Sequence, residues 1–139
     1  MLTDSDSSKA EQWLRKIQDS EVTKILFSGF AANRSLERIR IAVLDTGYDP
    51  ATTFFKDPDR RRRIRKWKDY VVEGSTTGQD KNGHGTHVLS LVMKVAPAAD
   101  IYVARVARDT KDLENSTGNV AKVKHLIAYP QYPRSLGNR

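Results

Sequence analysis

The sequence predicts an α/β fold, a partial parallel sheet with flanking helices, and three observations carry that prediction. The first is a short, β-branched apolar run, Ile39, Ile41, Ala42, Val43 and Leu44, broken only by Arg40. A run of that kind suits a strand covered on both faces of a parallel sheet. The second is the spacing of Val88, Leu91, Val92 and Val95 after His84, which puts four apolar side chains on one face of a helix that Pro97 ends. The third is the return of strand character at residues 101–106 (IYVARV). Strand, helix, strand is the order in which such sheets are wound.

Taken in order, residues 1–8 are rich in Ser and Asp, and Ser7 or Ser8 is placed to cap a helix beginning near Lys9. Trp13, Leu14 and Ile17 fall at helical spacing there, with Val22, Ile25 and Leu26 continuing into a second short element. Residues 30–38 connect this region to the first strand, which stops at Asp45-Thr46-Gly47. Residues 56–68 (KDPDRRRRIRKWK) then carry eight Lys and Arg against two Asp, nearly all of the net charge of +7, and read as a solvated loop. A second strand is expected at residues 67–72, followed by a polar loop to Gly83. Beyond the third strand, a loop from Asp109 to Gly118 leads to a helix near residues 119–127, with Val120, Val123 and Ile127 facing inward.

Length and composition bound the function. At 139 residues, 38% hydrophobic and 29% charged, the chain is globular and holds one domain or part of one. It has no cysteine, so no disulfide framework or thiolate metal site can be built and no oxidising compartment is demanded. The start lacks a basic segment followed by an apolar one, and no stretch approaches the ~18 apolar residues of a membrane helix. The expectation is a soluble intracellular protein with no membrane partner. The basic run is suited to phosphate contacts through counterion release, but an exposed basic face is the commoner use, so nucleic acid is not the expected partner.

Two segments carry chemistry. Asp45 stands just past the carboxyl end of a buried strand, the edge on which α/β folds assemble their sites. The alternative is an Asp that caps a turn. In Asn82-Gly83-His84-Gly85-Thr86-His87-Val88, the Asn-Gly turn delivers His84 to the start of a helix, where an imidazole can exchange protons near neutral pH. A metal-binding pair with His87 is the alternative. Zinc is disfavoured because the Glu of an H-E-x-x-H motif is missing and no cysteine is available.

Asp-Thr-Gly after an apolar strand, followed 39 residues later by His-Gly-Thr-His-Val, resembles the subtilisin-like serine peptidases, the subtilase or peptidase S8 family. Their triad runs Asp, His, Ser. The resemblance extends from about Arg38 to Ile127, through residues 95–106 (VAPAADIYVARV). It implies a subtilisin-like three-layer architecture, truncated here, and a peptide or protein substrate. It implies catalytic roles for Asp45, the carboxylate that orients the imidazole, and His84, the general base. Thr46, Gly47, Gly85 and Thr86 would shape the two turns, and His87 would be structural. No cofactor is implied; family members often bind calcium, but their ligand loops do not map onto this sequence, and no metal is expected.

The family's Gly-Thr-Ser segment and oxyanion-hole Asn are not found in this sequence. The serines after His84 are Ser90, Ser116 and Ser135, none of them in that context. The expected organisation is therefore an N-terminal helical extension (residues 1–37), a partial subtilisin-like peptidase domain (38–127) and an irregular tail (128–139), whose two prolines cannot continue a central strand. Such a chain would be a truncated or mis-spliced product that supplies the Asp and His, is inactive alone, and has a partner domain in a longer chain. A non-catalytic interaction module is the competing class. An aspartic peptidase would need a second Asp-Thr-Gly-type motif.

Overall fold

Three six-residue strands, β1 (Arg40–Asp45), β2 (Ile64–Asp69) and β3 (Asp100–Arg105), form one parallel sheet in the order β1-β3-β2. The computed structural model describes residues 4–21, 23–25, 28, 38–76 and 78–123. Around the sheet lie α1 (Asp4–Gln18), a 3-10 turn (Thr53–Lys56), α2 (Pro58–Arg63), α3 (His84–Val95), α4 (Thr110–Leu113) and α5 (Thr117–Lys122).

Strand alternation divides the sheet residues between two apolar layers. Ile41, Val43, Ile64, Trp67, Ile101 and Val103 share a core with Phe55 and with Leu89 and Met93 of α3. Leu44, Tyr102 and Ala104 belong to the opposite layer with Val106, Leu113 and Val123. Helical segments therefore cover both faces, which is why β1 and β3 read as apolar runs. Leu89, Ile101, Val103 and Phe55 are fully buried, each worth about 1.5–3 kcal/mol.

Several elements depart from the sequence reading. The basic run is not a loop. Asp57 caps α2 by accepting from the Asp59 amide at 2.8 Å, with Pro58 in the first turn. The chain then enters β2 at Ile64, three residues earlier than expected, and leaves it at Asp69. A register irregularity between Ile64 and Lys66 puts Ile64 and Trp67 on the core side three residues apart, so period-two alternation is broken where it would have shown. Arg65, Lys66 and Lys68 are exposed on this edge strand, where charge discourages pairing with other chains. Arg63 instead reaches α3 and donates to the carbonyls of Met93, Ala96 and Ala99 at 3.1, 2.5 and 3.2 Å, satisfying acceptors around that helix's C terminus.

The buried line of α3 is Gly85, Leu89 and Met93, with Val88 and Val92 beside it, and Val95 is 42% exposed. The inward face is centred on residues spaced by four, and one of them is a glycine that hydrophobic periodicity does not register. Helix α1 begins at Asp4 rather than near Lys9, buries Leu14 and leaves Trp13 57% exposed. It is tied to α3 by a hydrogen bond from Gln18 to the Lys94 carbonyl. Residues 110–113, expected within a loop, form α4, capped by the Asp109 carboxylate on the Asp112 amide. Helix α5 ends at Lys122; Val123 is buried, whereas Val120 is exposed rather than inward. Ile127 and the tail at 128–139 lie outside the described residues, as do Val22 and Leu26. Among the described residues, no helix is long and apolar enough to cross a membrane.

Candidate active site

The carboxyl ends of the three strands bring Asp45, Arg105 and Asp69 into one register row. All three are buried. Arg105 is committed to Asp69 through a 3.0 Å ion pair, and Asp69 also accepts from the amides of Val71 and Val72. Asp45 is directed to α3: its Oδ1 lies 2.7 Å from Nδ1 of His84, and the same oxygen accepts from the Thr46 amide at 2.7 Å. The His84 side chain is 42% exposed against 7% for Asp45, so a buried carboxylate holds a ring that remains open to solvent. A carboxylate at Nδ1 fixes the neutral tautomer with its proton there and leaves Nε2 as the proton acceptor.

Backbone geometry makes the approach possible. Gly47 sits at φ +109°, and a Cβ there would lie 2.0 Å from the Gln79 carbonyl oxygen. A Cβ on Gly85 would lie 2.2 Å from the Gly47 carbonyl oxygen. The Asp45 and His84 turns therefore touch main chain to main chain, and only glycine permits it.

The residue that sequence reasoning missed is Asp80. Its Oδ1 accepts from the Thr46 hydroxyl at 2.8 Å and the Gly83 amide at 2.9 Å, and its Oδ2 from the Thr86 amide at 2.7 Å and the Thr86 hydroxyl. Burial pushes its carboxyl upward, but the bonds from Thr86, Gly83 and Thr46 together outweigh it and hold the pKa below the ordinary carboxylate value. The local part of this pattern, an acid ahead of an Asn-Gly turn, is an Asx-type signal that was available in the sequence. The bond to Thr46, 34 residues away, was not.

The structure brings Asp45 and His84 together. Among the described residues, no serine hydrogen-bonds to either of them. Ser90 donates to the His87 carbonyl and Ser116 to that of Leu113, each at 2.7 Å within its own segment, and Ser135 lies outside the described residues. His87 is exposed on α3. Among the described residues no group of three His, Cys, Asp or Glu side chains stands where it could hold a metal ion.

The chain belongs to the subtilase family, peptidase S8, whose model matches residues 37–131. The chain is 27% identical over 122 residues to the subtilisin-like protease het-Q2 of Podospora anserina, an alignment covering 66% of this chain and 33% of that protein. It is 40% identical over 60 residues to pyrolysin of Pyrococcus furiosus, covering 40% of this chain and 4% of pyrolysin. The chain thus spans a third or less of these curated relatives. No solved structure matches it.

Proposed function

We propose that this chain supplies the Asp and His of an Asp-His-Ser peptide-hydrolysing triad. The observation that carries the reading is the 2.7 Å contact between His84 Nδ1 and Asp45 Oδ1 at the carboxyl edge of the sheet. In this role Asp45 holds the imidazole in one tautomer and stabilises its cation. Nε2 of His84 takes the proton of an attacking serine hydroxyl and returns it to the leaving amine of a peptide or protein substrate.

Neither Ser90 nor Ser116 has a free hydroxyl near His84, so a serine from another segment has to complete the triad. The chain by itself is expected to hydrolyse no peptide, because a triad lacking its nucleophile retains only a small residue of catalysis. The test is labelling with a fluorophosphonate probe, applied to this chain and to a product extended in frame through the gene region downstream of codon 139. The chain alone should remain unlabelled, and the extended product should be labelled in a manner lost on His84→Ala or Asp45→Ala. Labelling of the extended product that survives both substitutions would overturn the assignment.

A further inference from the structure

We propose that Asp80 is a positioning residue of this site, the ionised acceptor that locks the Asp45 turn to the His84 turn through two threonine hydroxyls. The proposal rests on the reading of Asp45 and His84 as a working pair and assigns the device that keeps them in register.

The bonds form a cross-brace. Thr46 follows Asp45 and gives its only hydroxyl proton to Asp80 Oδ1. That fixes its lone pairs, one of which accepts from the amide of Gly85, the residue after His84, at 3.0 Å. Thr86 lies two residues beyond His84 and gives its proton to Asp80 Oδ2. Its oxygen accepts from the amide of Asp49, on the Asp45 side, at 3.0 Å. Each turn thus contributes a threonine that receives an amide of the other turn, and Asp80 sets the direction of both hydroxyls.

A carboxylate is suited to this because it is acceptor-only. Its two oxygens take four protons here, two from hydroxyls and two from the amides of Gly83 and Thr86. A residue serving only to cap α3 would need no more than the two amides, which are local in sequence. The Thr46 bond and the Gly85 amide it orients have no part in capping; their effect is on the distance between the two turns. Displacements of about 0.5 Å matter in such constellations, and a shift of that size would carry the Asp45–His84 bond from 2.7 Å to the long, weak end of the hydrogen-bond range.

The substitution Asp80→Asn keeps the shape and replaces one oxygen with an NH2 group that cannot accept. One threonine hydroxyl must then turn, and its contact with the opposite amide fails. The measurement is the tautomer ratio of His84 in the full chain, read from its ring 15N shifts at a pH where the ring is neutral. The wild-type chain should show the Nδ1-protonated form dominant, and Asp45→Asn should abolish that preference. Asp80→Asn should lower the ratio of Nδ1–H to Nε2–H about tenfold, as expected for losing charge-assisted hydrogen bonds, while the dispersion of amide resonances shows the fold retained. A folded Asp80→Asn chain with the wild-type ratio overturns the proposal and leaves the Asp45–His84 pair intact. A wild-type chain without the Nδ1–H preference overturns the pair itself and the proposal with it. Should Asp80→Asn not fold, Thr46→Val and Thr46→Ser decide: the hydroxyl-free variant should lose the preference and the serine variant keep it, and equal ratios in the two overturn the proposal.

Discussion

Replacing Gly85 with Ala tests whether the two turns meet through their main chains. The added Cβ would lie 2.2 Å from the Gly47 carbonyl oxygen, 2.9 Å from the Gly47 nitrogen and 3.1 Å from Thr46 Oγ1. Carbon and oxygen need roughly 1 Å more than the first of these distances, so the turns must separate by about that much. The obstacle is backbone, which cannot rotate away as the end of a flexible side chain can. Helix propensity favours Ala by at most about 1 kcal/mol, whereas overpacking of this kind costs about 1–3 kcal/mol. The 3.0 Å bond from the Gly85 amide to Thr46 is lost in addition, worth about 1 kcal/mol. The net expectation is a loss of about 1–3 kcal/mol, or roughly 3–12 °C in melting temperature for a chain of this length. Gly118→Ala provides the control, since nothing lies within 4 Å of a Cβ at that helical position, and it should be neutral or stabilising. Thermal unfolding followed by circular dichroism decides. A Gly85→Ala chain as stable as wild type would refute the claim that the turns are in contact.

Two further perturbations address the buried charges. Asp69→Ala strands the Arg105 guanidinium, whose side chain is only 6% exposed, and should cost about 3–5 kcal/mol in urea unfolding; replacing both residues with apolar ones of similar volume should restore most of that, and a mild effect of the single change would show that water reaches Arg105. Asp80 sets a pH dependence. Because its folded-state pKa lies below the ordinary value of 3.8, its stabilising contribution is complete above that value and is lost as pH falls through the folded-state pKa. Urea midpoints of wild type and Asp80→Asn should therefore differ at pH 6 and converge as pH drops below about 4; a constant gap across that range would remove Asp80 as the source.

The sheet was legible where burial is two-sided and sequence-local. β1 and β3 are covered by helical segments on both faces, so their residues announce themselves as apolar runs, and α3 follows an Asn-Gly turn. β2 was misplaced because its apolar signal is sparse and irregular. Its two apolar residues, Ile64 and Trp67, join the core three residues apart because of an irregularity between Ile64 and Lys66, and Arg65 and Lys66 between them are exposed. Four consecutive arginines likewise concealed a helix whose cap, Asp57, and first-turn Pro58 were both visible. In these places the charge was read as a property of the segment, when it belongs to one side of it.

The site was legible in its reactive members and illegible in its coupling. Asp45 and His84 could be singled out because each stands at the end of an element in a turn rich in small residues. That signal is local, whereas the 39-residue separation that the fold closes is not. The motifs themselves hold the reason they meet. Asp45-Thr46-Gly47 and His84-Gly85-Thr86 each pair one reactive side chain with one threonine and one glycine. The glycines lie against each other, and each threonine accepts an amide of the opposite turn while donating to Asp80. Thr46, Gly47, Gly85 and Thr86 had looked like separate supports for two turns, but in the folded chain they are the facing halves of a single contact. Disturbing either half should therefore be felt first in the bond between the carboxylate and the imidazole, before the sheet beneath them responds.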